Sequence, residues 1–164
     1  MAAAVKLAIH AVGRLKAGPE RELAARYLER LARAGPSVGL EFSGMTEEPE
    51  SRAQTATERM REEALRLKGA LSADAALILL DERGASLSSQ DFAARLAAMR
   101  DSGCRAAVLA IGGADGHDPS LRREAALNLS FGAATWPHQL VRIMLAEQLY
   151  RAVTILSGHP DHRA

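Results

Sequence analysis

Short apolar runs alternate with longer amphipathic stretches along the whole chain. Runs rich in Val, Ile, Leu and Ala predict strands. They cover residues 5–12, 38–42, 75–80 and 105–111. Between these runs, apolar positions recur at helical spacing and predict helices. The helices cover about 19–34, 52–68, 89–100, 119–126 and 137–156. Strands that alternate with helices predict an α/β protein with a mostly parallel sheet and helices on both faces.

Capping residues mark where several of these helices begin and end. Pro19 is placed at the first turn of one helix, and Ser88 precedes another as an N-cap residue. Ser51 opens a Ser-Arg-Ala-Gln sequence with capping-box spacing, which predicts that the second helix begins at about residue 52. Residues 44–49 are polar and predict a loop before that helix, and Gly69 is expected to close it.

A glycine turn, Ile-Gly-Gly-Ala-Asp-Gly at residues 111–116, follows the apolar run that ends at Ile111. It leads to Asp118 and Pro119, which are an N-cap residue and a proline at the first helical position. In open α/β sheets, ligands bind beyond the carboxyl ends of strands, where glycine and free N–H groups admit a nucleotide. The turn is a candidate nucleotide pocket, although glycine pairs also end strands in many other proteins.

A long apolar helix follows Pro137. Its apolar residues surround most of the helix circumference, which a helix with a solvent face does not tolerate. We expect one side to pack on the sheet and another on a second copy of the chain, in a homodimer. His138 and Arg142 share one face of this helix, and Glu147 and Arg151 have the spacing of a structural ion pair.

Composition limits the possible functions. The chain has 164 residues, which favours one domain over residues 1–164, and its net charge of +1 gives no overall basic surface. The single cysteine, Cys104, lies beside an apolar strand and favours a core thiol. No apolar run reaches the ~20 residues of a membrane span, and the first residues lack signal-peptide features. We expect a cytoplasmic protein without membrane contact or a metal site.

Four sequence blocks in the last third resemble those of one enzyme family. They are the glycine turn 111–116, Pro-His-Gln-Leu-Val-Arg at 137–142, Ala-Glu-Gln-Leu-Tyr-Arg-Ala at 146–152, and His-Pro-Asp-His-Arg at 159–163. In this combination the chain resembles the large-subunit ribosomal RNA pseudouridine N3-methyltransferases, a branch of the SPOUT class. The opening strand is also similar, so the resemblance covers nearly the whole chain. Asp161 stands where the family often has an aromatic residue, which puts a stacking role at that position in doubt.

The resemblance implies a fold and a cofactor. The fold is an α/β sheet with a C-terminal trefoil knot over about residues 105–164. The cofactor is S-adenosylmethionine, held by the backbone of three loops. The implied cofactor-binding residues are Leu80, Asp81, Gly112, Gly113, Phe131, Gly132, Ala133, Ala134, Thr135 and Trp136. Leu80, Ile111, Phe131 and Trp136 offer adenine apolar walls, although Trp136 is as readily explained as a core residue.

The implied reaction moves a methyl group to N3 of a pseudouridine in large-subunit (23S) ribosomal RNA, in assembled ribosomes. That nitrogen must lose its proton, which calls for an orienting base or an arginine that stabilises the developing anion. The candidate catalytic residues are Arg142, His138, Tyr150, His162 and Arg163, with His159 as a further candidate. Sequence alone selects no base among them, and alignment of the reactants without a base stays open. Arg142 has an alternative role, an ion pair with an acid such as Asp115.

The family also implies a homodimer in which groups of one subunit approach the cofactor pocket of the other. Few aromatic residues and little net charge leave no platform for single-stranded RNA, so a folded target on the ribosome is expected. Two alternatives stay open. One is a non-catalytic ribosome-binding or RNA-binding module with the same fold. The other, a doubly wound nucleotide-binding enzyme, is weakened because no glycine fingerprint follows the first strand.

Overall fold

The computed structural model describes residues 3–158, and its strands form a five-stranded sheet. The strands are β1 (Val5–Val12), β2 (Leu40–Glu48), β3 (Ala76–Ser86), β4 (Ala106–Ile111) and β5 (Leu127–Ser130). The helices are α1 (Pro19–Ala34), α2 (Ala56–Ala70), α3 (Ser89–Asp101), α4 (Pro119–Glu124) and α5 (His138–Ser157). The strand order is β2-β1-β4-β3-β5, and every pairing is parallel. The prediction of a mostly parallel sheet is therefore confirmed.

Helices cover both faces of this sheet. Successive side chains of a strand point to opposite faces, so β3 and β4 supply two separate cores. On one face, Ile78 and Leu109 pack with residues of α1, α3 and α5. On the other face, Leu79 and Ala110 pack with residues of α2 and α4. The near-continuous apolar runs of β3 and β4 follow from burial on both sides.

The second strand is longer than its sequence predicts. β2 covers Leu40–Glu48 instead of residues 38–42, and the polar segment 44–49 that was predicted as a loop forms most of its second half. These residues remain in register with β1 after a shift between Leu7 and Ala8. Backbone pairing with a neighbouring strand thus outweighs the polar character of the side chains, because an edge strand keeps one side exposed.

The start of α2 is also different from the prediction. The helix begins at Ala56, where the Thr55 side chain accepts a hydrogen bond from the Glu58 N–H at 3.1 Å. Ser51 is not its cap, because the Ser51 N–H donates to Glu63 at 2.8 Å and its hydroxyl donates to Glu62 at 3.0 Å. Acceptors on the body of α2 therefore hold Ser51 in an extended segment before the helix.

β3 extends to Ser86, beyond the predicted end at Leu80, because it pairs with β5 both before and after a bulge. Leu80 and Ala85 both lie opposite Leu129, so the residues between them bulge out of the sheet. A Cβ atom on Gly84 would lie 2.4 Å from the backbone oxygen of Asn128, so this close approach requires glycine. The bulge sends residues 81–83 toward the carboxyl edge of the sheet.

The last helix contributes to the core on one face of the sheet, as predicted, and it also packs along α1 and α3. Leu145 and Leu149 are fully buried, whereas Leu140 in the first turn keeps 40% of its surface exposed. Glu147 and Arg151 form the predicted ion pair at 2.5 Å. Within residues 3–158, no helix is both long and apolar enough to cross a membrane.

Candidate functional site

A cleft of about 280 Å³ opens at the carboxyl edge of β3, β4 and β5. Parallel strands end at the same edge, so the three loops that follow them meet there. The cleft is lined by nine of the ten residues predicted to bind the cofactor, namely Leu80, Asp81, Gly112, Gly113, Phe131, Gly132, Ala134, Thr135 and Trp136. Ala133, the tenth, does not line it.

The glycine turn after β4 forms one wall. Its backbone closes through a hydrogen bond from the Gly116 N–H to the Gly113 carbonyl at 3.0 Å. A Cβ on Gly112 would lie 3.1 Å from the His117 ring, and a Cβ on Gly113 would lie 3.0 Å from the Glu63 carboxylate. The turn therefore packs tightly against the body of the protein, and Gly112 and Gly113 permit this close approach.

The segment after β5 forms the opposite wall. Gly132 has a positive φ of 108°, and its N–H donates to the Ser130 hydroxyl at 3.0 Å. That hydroxyl also lies 3.1 Å from the Glu82 carbonyl, so it joins this segment to the bulge of β3. Trp136 is 41% exposed, and its ring N–H donates to the Phe131 carbonyl at 3.3 Å. Trp136 is thus a wall of the cleft rather than a core residue.

Charged groups at the cleft are held by ion pairs. The Asp81 carboxylate lies 2.6 Å from Arg122 and accepts a hydrogen bond from the Arg83 N–H at 3.0 Å. Asp115 of the glycine turn pairs with Arg59 of α2 at 2.7 Å, and this pairing lowers the pKa of the Asp115 carboxyl. Both ion pairs therefore fix the loops that carry these carboxylates.

Arg142 does not line this cleft, and it does not pair with Asp115 as one sequence-based alternative suggested. It is 3% exposed, pairs with the Glu47 carboxylate, and donates to the Gly13 carbonyl at 2.6 Å. Burial would raise the pKa of Glu47, but hydrogen bonds from the Leu15 N–H and from Arg142 outweigh it and lower that pKa. The buried guanidinium thus joins the first turns of α5 to the carboxyl ends of β1 and β2.

The other candidate catalytic residues do not lie together at the cleft. His138, half-buried at the start of α5, lines the cleft. Tyr150 lies roughly 18 Å further along the same helix at helical rise, with the Arg30 guanidinium 5.9 Å from its ring centre. His159, His162 and Arg163 lie outside the described residues. Among the described candidates, His138 is therefore the one that reaches the cleft within a single chain.

Three buried ionisable residues behind the glycine turn were missed by the sequence analysis. His10, Glu63 and His117 surround a small cavity of about 10 Å³. Each has a buried polar atom without a hydrogen-bond partner. Burial lowers the pKa of both histidines and raises the pKa of Glu63. The only available signal was that His10 interrupts an apolar strand and that His117 follows a glycine turn.

The fold and the cleft define an α/β protein with a cofactor-type pocket at the carboxyl edge of a parallel sheet. A family model described as "Predicted SPOUT methyltransferase" matches residues 5–162. The chain belongs to the SPOUT methyltransferase family, as its sequence blocks predicted.

Within that family, the chain is similar to proteins that share one name. The chain is 67% identical over 160 residues to "Ribosomal RNA large subunit methyltransferase H" of Mesorhizobium japonicum, covering 98% of this chain and 100% of that protein. It is 62% identical to the protein of the same name from a Chelativorans species, covering 97% and 91%. A solved structure, a probable methyltransferase from Bordetella pertussis Tohama I, aligns with a TM-score of 0.51 at 13% identity over 93% of this chain and 95% of that chain. This last likeness concerns the fold alone.

The buried His117 predicts how stability depends on pH. Because burial lowers its pKa from the ordinary 6.5, the unfolded chain binds a proton at His117 at higher pH than the folded protein. The free energy of unfolding should therefore decrease as the pH falls below that value, by at most about 1.4 kcal/mol per pH unit for one group. In His117→Gln this contribution is removed, so urea unfolding between about pH 7 and about pH 5 should show a smaller slope than in the wild type.

The same comparison at about pH 8, where an unperturbed histidine is neutral, measures the packing cost of the substitution separately. Equal slopes in the two proteins at acidic pH would contradict the assignment of His117 as a buried neutral group.

Proposed function

We propose that this protein transfers a methyl group from S-adenosylmethionine to large-subunit ribosomal RNA, at N3 of a pseudouridine. The observation that carries the proposal is the meeting of three loops, at residues 80–83, 111–117 and 131–136, around one cleft. The names of the relatives supply the substrate class. Since the ribosome is the substrate, we also propose a cytoplasmic location.

The residues of the cleft fit this cofactor. Leu80, Ile111 and Trp136 offer apolar surface to an adenine ring, and the turn at Gly112 and Gly113 offers backbone groups without side chains. Asp81 pairs with Arg122 and Asp115 pairs with Arg59, whereas Glu82 and Arg83 are exposed at the cleft. S-adenosylmethionine supplies, when bound, a methyl group on a positively charged sulfur.

The chemistry requires that N3 of the acceptor lose its proton. His138 lies at the mouth of the cleft on the first turn of α5, where its imidazole can orient or accept that proton. Arg142, held by Glu47 and Gly13, fixes the position of this turn and acts as a positioning residue. Tyr150, His162 and Arg163 stay predictions that the family resemblance implies, because one described chain does not bring them to the cleft.

We further propose that the active form is a homodimer of single-domain chains, each with a trefoil knot over about residues 105–164. Support for the dimer comes from apolar side chains left at the surface. Leu23 of α1 and Leu140 of α5 are 37% and 40% exposed. Beside Leu23, a groove lined by Tyr27 and Met144 opens between α1 and α5. Burying this surface against a second copy would remove it from water.

The main test is methyl transfer with a labelled cofactor. The protein should bind S-adenosylmethionine in calorimetry and should label intact ribosomes at a pseudouridine of the large-subunit RNA. Transfer should be weaker to RNA stripped of protein, because a folded target is expected. Ribosome binding without any methyl incorporation would instead support a non-catalytic module, and absence of both binding and incorporation would end the proposal.

Gly132 gives a test of the loop after β5. Its φ of 108° and the open space around it mean that Gly132→Ala adds backbone strain of about 1–2 kcal/mol without a clash. We expect S-adenosylmethionine to bind up to about tenfold more weakly in calorimetry, since 1.4 kcal/mol corresponds to a factor of ten.

The matched control is Gly103→Ala, because Gly103 has a φ of 88° and equally open surroundings but precedes β4 at the opposite edge of the sheet. This control should lose similar stability and keep its cofactor affinity. Equal loss of affinity in both variants would assign the effect to general destabilisation rather than to the loop.

The dimer is tested by sedimentation. The wild type should sediment at about twice its chain mass of 17.5 kDa. Leu140→Arg places a charge on the proposed interface and should shift the protein toward the monomer. Leu65→Arg, at a 64% exposed position of α2, should leave the dimer intact. A monomeric wild type at micromolar concentration would reject the proposed assembly.

A further inference from the structure

A second cavity, of about 600 Å³, lies beside the cofactor cleft at the same edge of the sheet. It is bounded by residues 12–15 after β1, by residues 49–52 after β2, and by the first turn of α5. His138 lines both cavities, so they are neighbours across this one side chain. A ligand in the second cavity therefore lies next to the entrance of the first.

The second cavity carries positive charge that the fold does not use. Arg14 and Arg52 line it, both are exposed, and neither has a hydrogen bond or ion pair within residues 3–158. By contrast, Arg142, which also lines this cavity, is buried and uses its two terminal nitrogens to bond Glu47 and the Gly13 carbonyl. Among the described residues, Glu50 is the one carboxylate that lines the cavity. Two free guanidinium groups thus face a single acid.

The charges that line the cofactor cleft balance one another. Asp81 pairs with Arg122, and Asp115 pairs with Arg59. Among the described residues, Glu82 and Arg83 are the charged side chains of the cleft that have no ion pair, and they have opposite signs. An anionic RNA backbone is therefore attracted to the second cavity more than to the cleft.

We propose that the second cavity binds the phosphate backbone of the RNA substrate through Arg14 and Arg52, and so delivers the target base past His138 to the cofactor cleft. This inference rests on the proposed function and adds the location of its RNA site. Guanidinium groups suit this task because they bind phosphate oxygens with paired N–H donors. Both arginines follow adjacent parallel strands, β1 and β2, so they lie at the same edge of the sheet.

The test compares two double variants that remove equal charge. Arg14→Gln with Arg52→Gln alters the second cavity. Arg33→Gln with Arg105→Gln alters two exposed arginines that also lack partners within residues 3–158 but lie at the opposite edge, at the end of α1 and before β4. The Kd for intact ribosomes is measured by co-sedimentation at several salt concentrations, and the Kd for S-adenosylmethionine by calorimetry.

We expect the first double variant to bind ribosomes roughly tenfold or more weakly and to lose about two from the slope of log Kd against log salt. Its Kd for S-adenosylmethionine should be unchanged, and the control should behave as the wild type in both assays. Ribosome affinity equal in the two double variants would overturn the inference. So would a loss seen with ribosomes but absent with protein-free large-subunit RNA that the wild type binds, because the contact would then be to a ribosomal protein.

These outcomes separate the inference from the proposed function. A wild type that binds ribosomes through Arg14 and Arg52 but transfers no methyl group would keep the RNA site and reject the enzyme. A wild type that transfers methyl groups with no contribution from these arginines would reject the RNA site and keep the enzyme.

Discussion

The parallel direction of all paired strands is the constraint on which the rest of the structure depends. Each strand must be followed by a connection that returns to the starting edge, so every loop that leaves a strand emerges at the same carboxyl edge. The segments after β3, β4 and β5 thereby form the cofactor cleft, and those after β1 and β2 form the second cavity. The two sites are adjacent because the sheet order places β1 next to β4.

Arg142 joins distant parts of the fold through a buried charge. An arginine in an apolar helix is costly to bury unless its N–H groups find acceptors, and here Glu47 and the Gly13 carbonyl accept from its two terminal nitrogens. Its buried Nε has no hydrogen-bond partner within residues 3–158. The pairing joins the first turns of α5, which begin at His138, to strands far from it in sequence.

The small cavity behind the glycine turn is a second place where buried polar groups reduce the stability of the fold. His10, Glu63 and His117 are buried with unpaired polar atoms, which lowers stability compared with an apolar filling. They directly support the turn, since Glu63 lies against Gly113 and His117 against Gly112. Because these side chains lie on one side of the turn, its backbone faces the cleft on the other side.

The sequence by itself determined the alternation of strands and helices, the parallel α/β class, and the helix starts at Pro19, Ser88 and Asp118. These features depend on local patterns, because burial on both faces produces continuous apolar runs and caps bond to neighbouring residues. Only the tertiary structure decided the length of β2, the role of Ser51, the bulge that carries Asp81, and the partner of Arg142. Each of these depends on a contact between residues distant in sequence, such as Glu47 with Arg142 or Ser51 with Glu63, which no local pattern encodes.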